Sequence, residues 1–365
     1  MSDMVQTKHL IHRDLWSLPP SGSVDAMDTV LAVRVQLARN IQDLPFYGSQ
    51  TSSQAREVLA HGEVAVRGVV PWHDDCLTLS PSSKKLEQQI CLDRGLMDLE
   101  LDQYQQWFGH KDYTSSIFIN GHDHLLFTGW AHGLELTQAY GRAKQLETAL
   151  DSRIAYAASL DFGYLTSKIL EAGLGLRAVA LVHLPALSAS GAIPVRTSEF
   201  TLTPHPSLPP ESTLYLVQGQ GILGESEREF LDAFSEAVFQ IVFEERKTRE
   251  EIRNADPLVF DDELWRARGL IEHHRRISST EAAKAWSLSR LGWAMDIVPH
   301  FPWAAMGLPL RLTDGHIWAA LSLHQTTRTS DSSADQEKRF PKSPEMTILD
   351  EERSAIIRQT ISGGM

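Results

Sequence analysis

From Leu134 to Leu160, apolar side chains return every three or four positions, at Leu136, Ala139, Tyr140, Ala143, Leu146, Leu150, Ile154 and Ala157. That spacing lines them up on one stripe of an α-helix, and such a stripe has to be buried against another element. Phe230, Phe234, Val238, Ile241 and Val242 repeat the pattern ahead of the charged stretch EERKTREE. Four short runs of β-branched and apolar residues supply the surface to be covered: TVLAVRVQLA (Thr29 to Ala38), SSIFIN (Ser115 to Asn120), AVALVHL (Ala178 to Leu184) and STLYLV (Ser212 to Val217). Each is ended by polar residues or glycine, as strands are. The predicted class is α+β, an antiparallel or mixed sheet with both long helices on one face.

Beyond Asp256 the helical pieces shorten to DDELWRARGLIEHHRR and SSTEAAKAWSLSRLG, the second opened by a capping-box pattern from Ser278 to Glu281. A boundary is expected near Asn254 to Pro257. The tracts PPSGS (Pro19 to Ser23) and Gln325 to Glu345 are rich in Ser, Pro, Thr and charge and predict loops or linkers. The expected organisation is an N-terminal tail (1–23), a main domain (24–255), a helical C-terminal region (256–324), a linker (325–345) and a final helix (346–365).

A chain of 365 residues with 42% hydrophobic content can bury a large core. Its net charge of -13 argues against coating nucleic acid, where affinity comes from dense Lys and Arg. With Cys76 and Cys91 as its two cysteines, the chain has no disulfide framework and no four-thiolate zinc site, which predicts a reducing, cytoplasmic setting. No run of eighteen apolar residues occurs and the N-terminus lacks a leader pattern, so a soluble protein with no membrane partner is expected.

Three stretches carry candidate chemistry. FINGHDHLLF (Phe118 to Phe127) sets His122, Asp123 and His124 side by side. It is open to three readings: a metal site with His110 as the extra ligand, an active-site edge, or polar residues on a turn. Neighbouring side chains on a turn diverge, which weighs against metal. In VQGQGILGESE, Gly219, Gly221 and Gly224 fit G-x-G-x-x-G, yet no acidic strand end follows at the distance a dinucleotide fold requires, so a loop is expected. In FGYLTSKILEAGLGLRA, glycines beside Arg177 could let a backbone approach a phosphate that the guanidinium grips, or form an ordinary turn.

Together these blocks resemble the ATP:guanido phosphotransferases, or phosphagen kinases, and most closely the bacterial protein-arginine kinases. The matching segments run in family order: VLAVRVQLARNIQDLPF, INGHDHLLF, FGYLTS, GLGLRAVALVHLPAL, GESEREFLDAFSEAVFQIVFEERKTRE and RARGLIEHHRRISSTEAAKAWSLSRLG, which span most of residues 24 to 298. The resemblance implies a glutamine-synthetase-like catalytic domain that uses ATP with Mg. Arginines would clamp the phosphates and carboxylates would orient the acceptor guanidinium.

Position by position, the resemblance implies nucleotide-binding roles for Arg34, for Arg177 with Ala178, and for the partial positions Gln36, Leu126 and Arg196, while Arg39 matches the arginine of L-A-R-N. Gln36 and Leu126 stand where two further clamps are expected. The acidic pair of N-E-E-D-H is Gly121 and His122 here, while Asn120, Asp123 and His124 remain. Lys168 replaces the acceptor-side cysteine and Ile169 the proline after it, setting a cation against a cationic acceptor. Gly95 replaces a histidine near the base, Arg196 and Glu199 are what remains of the R-G-x-x-G-E loop, and Ser354 after Arg353 breaks the phosphoarginine-docking motif. The catalytic candidates are thus His122, Asp123 and Lys168, and no metal is assigned to the protein itself.

Two functions follow as expectations: phosphotransfer to protein arginine, weak or lost, or a catalytically inactive binding subunit. The implied partners are a protein arginine substrate, or an active kinase or its activator, with a homodimer left open. Metal binding through His122 and His124 is a minor alternative.

Overall fold

In the computed structural model the central strand is β1 (Val30–Arg39), buried along almost its whole length. The structure describes residues 26–299, except 47, 70–74, 84–87, 89–90, 93–96, 98–100, 195, 198–199 and 207, together with 350, 353, 354 and 357. The other strands are β2 (Cys76–Leu79), β3 (Gln106–His110), β4 (Ser115–Ile119), β5 (Leu125–His132), β6 (Ala158–Ser159), β7 (Gly163–Tyr164), β8 (Leu176–His183), β9 (Arg196–Thr197), β10 (Phe200–Pro204) and β11 (Leu214–Gln220). Nine of them form one sheet in the order β2-β3-β4-β5-β1-β8-β11-β10-β9, and β6 and β7 pair separately. Every ladder is antiparallel.

The helices are α1 (Ser52–Val69), α2 (Leu136–Asp151), α3 (Pro185–Ser190), α4 (Glu227–Ala255), α5 (Pro257–His273) and α6 (Ser279–Ala294). Alternate residues of the strands, among them Val33, Val35, Leu37, Phe127, Ala178, Ala180 and Val182, share one apolar cluster with Leu146 of α2 and Phe234 of α4. Both long helices therefore cover the same face, as their stripes require. α2 lies so close to β5 that a Cβ on Gly129 would come within 2.0 Å of the Ala139 carbonyl. The capping box at Ser278 and Glu281 is formed, and a second one, Ser226 with Glu229, opens α4.

The opposite face carries two separate apolar patches. Ala38, Trp107, Phe118, Leu126 and Trp130 make one. In the other, Leu31, Leu181 and Leu214 are covered by Ile271 of α5 and Trp286 of α6. A polar strip lies between them. Among the described residues no helix is long and apolar enough to cross a membrane.

Two sequence expectations are corrected. The helix expected to Leu160 stops at Asp151, because the chain beyond it pairs with the end of β1: Ala157 N–H donates to Asn40 O at 2.8 Å, and Ile41 bridges Tyr156. Ile154 and Ala157 are still buried, but from a loop. β2, β3, β5, β6, β7, β9 and β10 were not foreseen as strands; β10 carries Thr203 and Pro204 at its exposed end. The G-x-G-x-x-G stretch is no dinucleotide loop, since Gly219 sits inside β11, antiparallel to β8, where a Cβ would come 2.3 Å from the Phe200 ring.

Candidate active site

Strand alternation turns Arg34 and Gln36 of β1 away from the helices, into the polar strip. Gln36 faces Thr128 of β5 on one side and Arg177 of β8 on the other, and Arg34 faces Trp130 and Val179. The two arginines are diagonal neighbours on adjacent strands, a spacing of about 7–8 Å. The Arg34 guanidinium stands 5.4 Å from the centre of the Trp130 ring, a cation–π contact. Gln36 is buried and donates from Nε2 to Thr128 Oγ1 at 3.4 Å. Leu126, on the same face of β5, is 9% exposed within the patch of Trp107, Phe118 and Trp130.

The other positions singled out by the resemblance are not brought into this strip. Ala178 points its side chain into the helix-covered core, so that only its backbone borders Arg177. Arg39 has the opposite parity to Arg34 and lies under α2, fully buried, with Nε 2.9 Å from Glu147 Oε1 and its guanidinium 3.5 Å above the Tyr164 ring. It braces helix against sheet. Arg196 is on the edge strand β9, three strands from β8, a separation on the order of 14 Å. Gly95 and Glu199 lie outside the described residues.

FINGHDHLLF forms the β4–β5 hairpin, whose tip is closed by Asn120 N–H donating to His124 O at 2.8 Å. Asn120 takes the left-handed conformation (φ 62°) and donates from Nδ2 to the carbonyls of Ala55 and Tyr104. Asp123 is 2% exposed, and its Oδ1 accepts from Asn40 Nδ2 and from Ser167 N–H, each at 2.7 Å. His124 Nδ1 accepts from Ile41 N–H at 2.9 Å, which leaves the proton on Nε2 to donate to Pro45 O. Burial lowers its pKa, against the opposing pull of the Pro45 carbonyl and Asp123. Asp123 and His124 thus knit the tip to β1, while His122 is half-buried at the tip. Among the described residues no three His, Cys, Asp or Glu side chains are placed to hold a metal.

In the turn after β7, Lys168 Nζ is 3.3 Å from Glu171 Oε1, and Arg177 Nε is 3.3 Å from Glu171 Oε2. One buried carboxylate therefore links Lys168 to Arg177. Sequence reasoning missed Glu171, although an acid three residues after Lys168 and six before Arg177, in a glycine-rich turn, is a readable signal. Farther off, Arg353 is fully buried and donates to Ile277 O and Asp350 Oδ1, and Ser354 Oγ donates to His274 O. Those remnants of the docking motif fasten the last described residues to the α5–α6 connection.

Chemically, the strip sets Arg34 and Arg177 beside a neutral amide and a hydrocarbon patch, with the Glu171 carboxylate against Arg177. A triphosphate fits it in part, with Arg34 and Arg177 toward the phosphate oxygens and Mg carried by the phosphates themselves. Residues 73–248 match the family described as ATP:guanido phosphotransferase, C-terminal catalytic domain, and residues 257–324 match the protein-arginine kinase McsB C-terminal domain. The protein-arginine kinase of Caldanaerobacter subterraneus subsp. tengcongensis is 30% identical over 285 residues, which cover 74% of this chain and 84% of that protein. That of Symbiobacterium thermophilum is 30% identical over 287 residues, covering 74% and 81%. Among solved structures, lombricine kinase is similar with a TM-score of 0.52 at 20% identity, over 67% of this chain and 76% of that one. The duplicated taurocyamine kinase from Schistosoma mansoni gives a TM-score of 0.51 at 18% identity, over 64% of this chain and 35% of that one. With the phosphagen-kinase fold and both parts of the sequence matched, the chain belongs to the protein-arginine kinase family of ATP:guanido phosphotransferases.

Proposed function

We propose that this chain is a protein-arginine-kinase relative in which transfer of the ATP γ-phosphate to arginine is weak or lost, and which acts by binding, as a regulatory subunit to an active kinase or its activator. The observation that carries this reading is the packing of Leu126 against Trp107, Phe118 and Trp130, because hydrocarbon closes the place where a phosphate clamp is expected. Phosphoryl transfer relies on positioning and on neutralising charge over the phosphate oxygens. Removing one such electrostatic donor can cost about 10²–10³ in rate, and Gln36 marks a second loss. Arg34 and Arg177 would hold what nucleotide binds, with Mg arriving on the phosphates. The two-cysteine composition supports a cytoplasmic setting.

An active protein-arginine kinase is the competing reading, favoured by Glu171, which sets a carboxylate on the acceptor side. Transfer of radiolabelled γ-phosphate to free arginine or to an arginine-rich protein separates the two. The expected result is background incorporation. Robust transfer that is lost in Arg177→Ala would overturn the proposal.

A further inference from the structure

The short turn Ile169–Glu171 inverts the usual order of burial. Its charged residue is 3% exposed, while Ile169 and Leu170 are 90% and 76% exposed. Burying a carboxylate is costly unless cations compensate for it, and exposing two large apolar side chains returns nothing. The compensation comes from Lys168 and Arg177, each 3.3 Å away. Yet Arg177 Nε and Glu171 Oε2 are both buried and neither makes a hydrogen bond, so they face each other as charges without alignment. Such a contact is weaker than the charge-assisted, well-aligned bonds that a phosphate forms with a guanidinium.

We propose that Glu171 determines the ligand specificity of the strip as a tethered anion: its carboxylate occupies Arg177, and a polyphosphate binds there only by displacing it. The inference rests on taking Arg34 and Arg177 as the anion-binding pair. The backbone around the turn suits such a displacement. Glu171 N–H donates to Lys168 O, and its carbonyl accepts from Gly175 N–H. Gly173 and Gly175, at φ 107° and 57°, hold the following segment in conformations that L residues avoid. Tyr164 and Gly173 exchange two backbone hydrogen bonds, which anchors the far end, so a rearrangement is confined to the few residues carrying Glu171. The neutral Gln36 beside Arg177 brings no further cation that could serve carboxylate and phosphate together.

The test is calorimetric titration of the full chain with Mg-ATP and, separately, with inorganic tripolyphosphate, which carries no base. Glu171→Gln should tighten both probes tenfold or more, and the gain should vanish in Glu171→Gln/Arg177→Ala. Glu171→Asp retains the charge but withdraws it by one methylene, and should give a smaller gain; it also serves if the Gln variant fails to fold. Unchanged or weaker affinity, no binding in any variant, or a gain that persists without Arg177 would each overturn the proposal. Because the readout is binding without an acceptor, robust phosphotransfer would defeat the functional reading above and leave this competition measurable.

Discussion

Asp123, at the tip of the β4–β5 hairpin, accepts a 2.7 Å hydrogen bond from Asn40 at the end of β1, and the same Asn40 accepts the backbone N–H of His124 through Oδ1 at 2.9 Å. The two bonds clasp the hairpin tip to the end of β1. Ser167 N–H, on the same Oδ1, draws the segment after β7 into the clasp.

Asn40→Ala and Asp123→Ala should therefore each lower stability by about 1–3 kcal/mol, since each leaves a buried polar partner unsatisfied. In a double-mutant cycle followed by chemical denaturation the two losses should be strongly non-additive, because the groups share one network. Additive losses would mean that the two residues act separately.

Restoring the missing clamp should fail when done alone. Leu126→Arg places a cation among Trp107, Phe118 and Trp130, and is expected to cost about 2 kcal/mol or more in stability without recovering transfer. Catalytic groups that act as a unit are non-additive, so Gln36→Arg, Leu126→Arg, His122→Glu and Lys168→Cys together should recover measurable γ-phosphate transfer where no single change does. Full recovery by one substitution would show that the remaining departures are harmless.

Stability should fall as pH drops from about 8 to about 5.5. His183 is held neutral by complete burial and by the nearby Arg290 and Arg249, well below its ordinary 6.5; burial also lowers His124, and burial with Arg142 lowers His132. Near and below 6.5 the unfolded chain takes up protons that these folded imidazoles refuse, so unfolding is favoured as pH decreases. For Asp28, burial raises the pKa but Arg246 and Arg249 outweigh it; the net lowering adds a loss only on acidification past the ordinary carboxylate value of 3.8. Denaturation midpoints across the range check this, and His183→Asn should flatten the slope. Midpoints independent of pH would contradict it.

Much of the fold was legible in the sequence because it depends on short-range periodicity. The stripes of α2 and α4 and the runs of β1, β4 and β8 need no more than one element each to be recognised. The order of the blocks carried the family. Even the placing of Arg39 was within reach, since it stands five residues from Arg34 on one strand and so must point to the other face.

What the side chains at those positions do was decided only in three dimensions. Asn40 and Asp123 are 83 positions apart and Arg39 and Glu147 are 108 apart, so no local pattern announces either pair. The surroundings of Lys168 and of Arg177 both depend on the carboxylate of Glu171. Periodicity fixes which face of an element is buried; the electrostatics of a site depends on distances between elements, and those are set by how the sheet pairs and how the turn after β7 folds back against β8.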